Sequence, residues 1–231
     1  MSELGGRVAL VTGASRGIGL AVATELERLG ARVVRAARSL AAAESATRLD
    51  VRCDVTDPDQ VAALAHRTRS AFGVPSVVVA NAGAFMLAPL ARTQPSDLTA
   101  QLSANLAGPF IVARAFLPMM KQEGGGRFIS LGSIADHRAF PENAAYAASK
   151  FGLRGLHEVL REEYRGSGVL CTLVSPGPTD TNAWDFVDPD RRDGFIPRSR
   201  MLRPEDVAAA VVWVAGRPAH VDVDWLRLGP A

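Results

Sequence analysis

The sequence predicts a single doubly wound α/β domain, a parallel sheet covered by helices on both faces. Three observations predict it. Short apolar runs alternate along the chain with stretches of helical period, the pattern of strands buried between amphipathic helices. A glycine-rich turn, Gly13-Ala-Ser-Arg-Gly17-Ile-Gly19, joins the first apolar run to the first helical period. The 231 residues contain no repeat, low-complexity tract or internal linker, which makes 1–231 one domain with room for a substantial core.

The elements follow in order. Residues 7–12, RVALVT, form the first strand, and Leu20 to Leu29 is amphipathic at helical spacing with Gly30 as its C-cap. Strands are expected at Arg32–Ala36 and Thr47–Cys53, a helix at Asp57–Phe72 opened by Asp57-Pro58, and a strand at Ser76–Ala80. Ser96 to Gln122 is a long helical stretch that Gly108-Pro109 should kink, because proline lacks the N–H donor and crowds the turn before it. Arg127–Leu131 is the next strand. The helix after it starts at Asn143 or Ala144 and runs to Arg165. Val169–Val174 leads into Pro176-Gly177-Pro178. Thr179–Arg203 shows no clean period and is rich in Asp, Arg and Pro, as expected of a lid or binding loop. A helix from Pro204 to Val214 and a strand at Val223–Leu228 close the chain.

Composition narrows the function. With 48% apolar and 22% charged residues the chain has the balance of a soluble globular protein. A net charge of +2, carried by scattered arginines, gives no warrant for a nucleic-acid or anionic-membrane partner. Cys53 and Cys171 lie far apart in apolar runs, with no C-x-x-C pair and no histidine at ligand spacing. They read as buried thiols, and no metal is expected. The N-terminus has no signal pattern, and every stretch of transmembrane length holds a charge or a proline, so a cytoplasmic protein is expected. His66, His157 and His220 have no partner pattern and read as surface residues.

The chemistry centres on Ser133 to Lys150, SIADHRAFPENAAYAASK. Tyr146 and Lys150 are one helical turn apart, so on a helix the phenol and the ammonium share a face. A cation beside a phenol favours the phenolate and lowers its pKa, which would make Tyr146 a usable acid or base. Ser133, thirteen residues upstream, could orient the same substrate oxygen. Taken alone, the pair also fits a solvated helix face that happens to carry both residues. The glycine turn has the same double reading: Gly13, Gly17 and Gly19 would let backbone N–H groups approach a pyrophosphate at a helix N-terminus, or simply form a tight turn. Phe85, Met86, Phe140, Trp184 and Phe186 are placed to line an apolar pocket, and His137 and Arg138 read as a solvated loop.

Taken together, Thr12-Gly-Ala-Ser-Arg-Gly-Ile-Gly19, Asn81-Ala-Gly83, Asn105, Ser133, Tyr146-x-x-x-Lys150 and Pro176-Gly177 resemble the short-chain dehydrogenase/reductase family of the shorter type, from about Arg7 to the end of the chain. Within it the chain is similar to ketoreductases, including acyl-carrier-protein and small-molecule carbonyl reductases. The resemblance implies a Rossmann-type sheet in the order 3-2-1-4-5-6-7, a dinucleotide-binding and catalytic domain, and a lid at about 179–203. It implies that Tyr146 is the acid, that Lys150 lowers the phenol pKa and binds the nicotinamide ribose, and that Ser133 holds the substrate oxygen. Asn105 would support a water relaying protons to Lys150. Gly13, Ser15, Arg16, Gly17, Ile18 and Gly19 would cradle the phosphates, and Asp54 and Val55 would face the adenine. Asn81, Ala82 and Gly83 would line the adenine ribose, and Pro176, Gly177, Thr179 and Thr181 would meet the carboxamide. Two departures stand out: Ala80 replaces an asparagine common in the family, and the chain ends Trp225-Leu-Arg-Leu-Gly-Pro-Ala without a glycine-rich segment.

An NAD-preferring member carries a carboxylate at the end of the second strand to bond the ribose hydroxyls. Here that position is Ala37, followed by Arg38, and no Asp or Glu lies between Glu27 and Glu44. Arg38 and Arg16 would meet a 2′-phosphate. The expected function is hydride transfer between NADP(H) and a ketone, aldehyde or alcohol. The alternatives are NAD-linked alcohol oxidation on the same scaffold and a non-catalytic dinucleotide-sensing regulator, a class that typically lacks the acid or its cation. Apolar residues run around more of the Ser96–Gln122 and Ala144–Arg165 helices than one sheet can cover, so a homodimer or homotetramer is expected.

Overall fold

The computed structural model describes residues 4–231. β1 (Val8–Thr12) leads through the glycine turn into α1 (Gly17–Arg28), β2 (Arg32–Ala37), β3 (Ala43–Glu44), β4 (Arg48–Arg52) and α2 (Pro58–Phe72). β5 (Val77–Ala80) is followed by α3 (Pro95–Leu102), a π turn (Ser103–Ala107) and α4 (Gly108–Gln122). β6 (Gly126–Leu131), α5 (Ala144–Glu163), β7 (Val169–Pro176), α6 (Pro204–Ala215) and β8 (Trp225–Leu228) complete the chain.

One sheet holds the strands in the order β3-β4-β2-β1-β5-β6-β7-β8. From β4 to β8 all pairs are parallel, which is the expected 3-2-1-4-5-6-7 arrangement. β3 is an addition, antiparallel to β4 with Ala43 opposite Asp50. Two exposed residues without apolar alternation leave no strand signal in the sequence, and a short edge of this kind discourages further pairing.

β1 is buried along its whole length, and its alternate side chains serve opposite layers. Val8 and Leu10 pack with Val61, Leu64 and Phe72 of α2 and Val112, Phe116 and Met120 of α4. Ala9 and Val11 pack with Val22 and Leu26 of α1 and Val207 and Val211 of α6. Each Val or Leu side chain buried this way is worth about 1.5–3 kcal/mol, so a strand apolar on both faces needs both helical layers.

The expected kink at Gly108-Pro109 takes the form of the π turn, in which the Gly108 N–H reaches back to Ser103 O. Pro109 has no N–H to offer, and the wider turn absorbs the mismatch. The turn lies against α5 at Gly152, where a Cβ would come within 2.9 Å of Leu106 Cδ2. That close approach turns Asn105 inward, and it is fully buried. Pro95–Gln122 has the length and hydropathy of a membrane span, yet Val112, Ala113, Phe116, Leu117 and Met120 belong to the core under the sheet.

His157 departs from its surface reading. It is buried on α5 with Nε2 3.3 Å from Asp224 Oδ1, and burial lowers its pKa. Its partner arrives from the segment before β8, a proximity that only the closed sheet creates. Cys53 and Cys171 are buried as expected, and burial pushes their thiols up to about 11 and about 12.

Candidate active site

The loops that carry the expected site residues leave the C-terminal ends of the strands. Gly13 follows β1, Arg38 follows β2, Asp54 follows β4, Asn81 follows β5, Ser133 follows β6, and Pro176 ends β7. The strand order reverses between β1 and β5, and open α/β sheets bind ligands in the crevice at such a point.

Gly13 and Gly17 have φ of 67° and 55°, which favour glycine. A Cβ on Gly13 would lie 2.8 Å from Ala82 Cα, and one on Gly19 would lie 2.4 Å from Gly13 O, so the turn must be built from glycine. Thr12 and Asn81 lock it to β5. Thr12 Oγ1 accepts from the N–H groups of Asn81 and Ala82 at 3.1 Å, and Asn81 Nδ2 donates to Thr12 O at 2.8 Å. Ser15 and Ile18 are half-buried beside the turn, and no side chain caps the start of α1. Its free N–H groups and dipole suit the charge of a pyrophosphate, so the cradle fits a dinucleotide.

At the other end of the crevice Ala37 is buried and Arg38 exposed. Arg28 pairs with Glu25 and Arg35 with Glu27. Arg16 and Arg38 make no ion pair among the described residues. The Asp54 carboxyl is held below its usual range first by the Thr56 N–H at 3.0 Å and the Thr56 hydroxyl at 2.8 Å, with a smaller contribution from Arg38. Val55 is buried against Gly108, where a Cβ would sit 2.9 Å from its Cγ2.

Tyr146 and Lys150 project from one face of α5 toward Ser133, which opens the turn after β6. The Ser133 hydroxyl lies near enough to the Tyr146 phenol to lower its pKa. Lys150 Nζ donates to Leu131 O at 2.8 Å and lies 5.7 Å from the centroid of the Tyr146 ring. The expected lowering of the phenol pKa is not what this arrangement gives. Burial pushes Tyr146 up to about 12; the Ser133 bond opposes that rise and the Asp136 carboxylate adds to it. Burial also pushes Lys150 down to about 8, opposed by Asp136. Tyr146 is half-buried, and the Lys150 ammonium is engaged by a backbone carbonyl. Tyr146 therefore keeps its proton at neutral pH.

Asn105 Oδ1 accepts from Ala84 N at 2.9 Å, while Nδ2 donates to Ala84 O at 2.9 Å and Ser149 Oγ at 3.0 Å. Ser149 Oγ donates in turn to Tyr146 O at 2.6 Å. None of these partners is Lys150; the side chain fastens the loop after β5 to α5. Gly83 makes this possible, since a Cβ there would lie 2.6 Å from Asn105 Oδ1.

Beyond β7 the chain folds back over the glycine turn. Gly177 N–H bonds Leu228 O at 2.7 Å, and buried Thr179 donates to Gly177 O at 3.0 Å. The Thr181 methyl is 3.4 Å from where a Gly17 Cβ would be. Residues 179–203 hold three short helical turns, clipped by Arg198 to Asp180 and Asp185 at 2.6 Å each and by Arg192 to Glu142. Phe85 meets the Tyr146 ring edge-on at 5.0 Å and packs on Trp184 at 4.9 Å and Phe186 at 5.9 Å, forming the apolar wall. Phe140 instead carries Arg138 over its ring at 5.3 Å.

Two residues given no role in the sequence reading support the site. Thr12 ties the glycine turn to β5. Asp136, buried three residues after Ser133, accepts the Ser133 N–H at 3.0 Å; the spacing is that of a capping box and was the available signal. His137 is no free loop residue, since its Nδ1 lies 2.6 Å from Asp136 Oδ1. Among the described residues no three His, Cys, Asp or Glu side chains gather as metal ligands.

Comparison with known proteins agrees with this geometry. The family model for short chain dehydrogenases matches residues 7–192. D-threitol dehydrogenase of Mycolicibacterium smegmatis is 36% identical over 230 residues, covering 94% of this chain and 88% of the relative. A solved metagenomic short-chain oxidoreductase in complex with NADP is 33% identical with a TM-score of 0.81, covering 100% of this chain and 99% of the other. An alcohol dehydrogenase from the archaeon Thermococcus sibiricus, complexed with 5-hydroxy-NADP, is 26% identical with a TM-score of 0.83 over 97% of each chain. The strand order, the glycine turn and these matches agree: the chain belongs to the short-chain dehydrogenase/reductase family and is an NAD(P)-dependent oxidoreductase acting on alcohol or carbonyl substrates.

Proposed function

We propose that this protein reduces ketones or aldehydes with NADPH. The observation that carries the reading is the placement of Tyr146 and Lys150 on one face of α5 near Ser133, beside an apolar wall. When bound, the dinucleotide supplies a hydride to the carbonyl carbon. Ser133 donates a hydrogen bond to the carbonyl oxygen and Tyr146 gives that oxygen its proton. The Lys150 ammonium then stabilises the phenolate left behind. Gly13 to Gly19 hold the phosphates, and Arg16 and Arg38 take the 2′-phosphate. Phe85, Trp184 and Phe186 exclude water from the reacting oxygen.

The likeness to a threitol dehydrogenase favours a second reading, oxidation of a polyol. The wall of Phe85, Trp184 and Phe186 offers a polyol few hydrogen-bond partners, which favours a less hydroxylated substrate. Following NADPH absorbance against acyl thioesters, quinones, cyclic ketones and aldehydes tests the proposal. A protein that bound NADPH and oxidised none of it would fit the regulator instead.

The pH profile gives a separate check. Burial pushes Lys150 down to about 8, so kcat/KM should be level at neutral pH and fall about tenfold per unit above that value, as the ammonium is lost. A profile still level at about pH 9.5 would remove Lys150 from the step. Segment 179–203 should gain protection from hydrogen exchange when NADPH and a substrate bind, because it covers the glycine turn and borders the Tyr146 wall. Equal protection in the free and ternary states would defeat its role as a lid.

A homodimer or homotetramer also belongs to the proposal. Phe110 on α4 and Phe151 and Val159 on α5 are 51%, 45% and 53% exposed, large apolar side chains that a second copy would cover. Light scattering should give a multiple of the 24.5 kDa chain, and a monomer at micromolar concentration would count against it.

A further inference from the structure

Asp136 takes no part in the reaction described above, yet its side chain is wholly enclosed beside the site. Its Oδ2 accepts the Ser133 N–H at 3.0 Å and the Ser175 hydroxyl at 2.5 Å, and its Oδ1 is 2.6 Å from His137 Nδ1. Ser175 Oγ accepts from Trp225 Nε1 at 2.8 Å, and the Trp225 ring meets His137 edge-on at 5.1 Å. Four side chains from the turn after β6, from β7 and from β8 thus close a ring. Gly132 makes room for it, since a Cβ there would lie 2.2 Å from Asp136 Oδ2 and 2.8 Å from Ser175 Oγ. A carboxylate taken this far from water is tolerated only when its lone pairs are met, and a fully met buried network is rigid.

We propose that Asp136 is a positioning residue for the reduction: it fixes Ser133 so that the single serine hydroxyl proton points at the substrate oxygen. The inference rests on the roles given above to Ser133 and Tyr146. The Ser133 hydroxyl accepts from Ala135 N–H at 3.2 Å, and its backbone N–H is held by Asp136. With both fixed, the hydroxyl proton is left for Tyr146 or for an oxygen placed between them. Through Ser175 the same carboxylate ties this serine to the strand end from which Pro176 and Gly177 extend. The titratable groups around it are His137, Tyr146 and Lys150. Its charge raises the pKa of both Tyr146 and Lys150, which favours the protonated states from which a reduction starts.

The test is a mutant cycle. Asp136→Ala and Asp136→Asn are made in the wild type and in a Ser133→Ala background. The kcat is measured with NADPH and the carbonyl turned over fastest, and NADPH affinity by fluorescence. The Ala variant should lose about 100-fold in kcat and the Asn variant about tenfold, with NADPH affinity within about threefold of wild type. Neither should lose more once Ser133 is Ala, because Asp136 acts through it. The Asn variant keeps the shape, and it decides alone if the Ala variant does not fold. Full turnover in the Ala variant, or in the Asn variant where only that one folds, would overturn the role. So would a loss of the same size in both backgrounds; either result leaves the Ser133 and Tyr146 reading intact. A wild type that reduced no carbonyl would defeat that reading and this inference with it.

Discussion

Tyr146→Phe should bind NADPH much as the wild type does and turn over about 10²–10⁴-fold more slowly, the usual worth of a positioned general acid. The substitution removes one oxygen and little else. The ring keeps its edge-on contact with Phe85 at 5.0 Å and its place on α5, so the fold and the glycine turn are not disturbed. What disappears is the proposed proton donor beside Ser133. Because the phenol is pushed up to about 12, the wild type holds this proton throughout the neutral range, and the loss should be the same from pH 6 to about pH 8. Single-turnover rates with saturating NADPH would separate the chemical step from binding. Activity retained in the Phe variant would remove Tyr146 from the mechanism.

Ala37→Asp combined with Arg38→Leu should move the preference of the enzyme from NADPH toward NADH. Ala37 ends β2 at the adenosine end of the crevice, and Arg38 follows it, exposed and without an ion pair among the described residues. A carboxylate at 37 would bond ribose hydroxyls and repel a 2′-phosphate. Charge-assisted bonds from Arg38 and Arg16 to that phosphate are worth about 1.5–3 kcal/mol each, so the wild type should favour NADPH by about 10²-fold or more. Asp54 lies close enough to feel the field of Arg38, but the Thr56 bonds already hold that carboxylate. The ratio of kcat/KM for the two cofactors decides the matter. A wild type that used NADH equally well would refute the assignment of both arginines.

The architecture was legible because it depends on local patterns. Apolar runs such as Val8–Thr12 must be covered on both faces, and the helices between them bring their own stripes and caps. Gly13 and Gly19 announce a turn where backbone approaches backbone too closely for a Cβ. Tyr146 and Lys150 are neighbours by helical geometry alone. For these, sequence spacing and spatial spacing are nearly the same thing.

The tertiary structure decided what depends on distant partners and on dielectric. His157 finds Asp224 across 67 residues, and Ser175 and Trp225 find Asp136 only because β6, β7 and β8 lie side by side. Asn105 meets Ala84 and Ser149 because a π turn, made where Gly152 lets Leu106 in, rotates it inward. The sequence could place an ammonium beside the Tyr146 phenol, but not say how far both would be withdrawn from water. Desolvation disfavours the charged form of each, and here it outweighs the Ser133 hydroxyl at Tyr146 and the Asp136 carboxylate at Lys150. The chain by itself determined the strands and turns that carry the candidate residues, and the packed structure determined their burial and their supports, because burial and long-range pairing exist only once the sheet has closed.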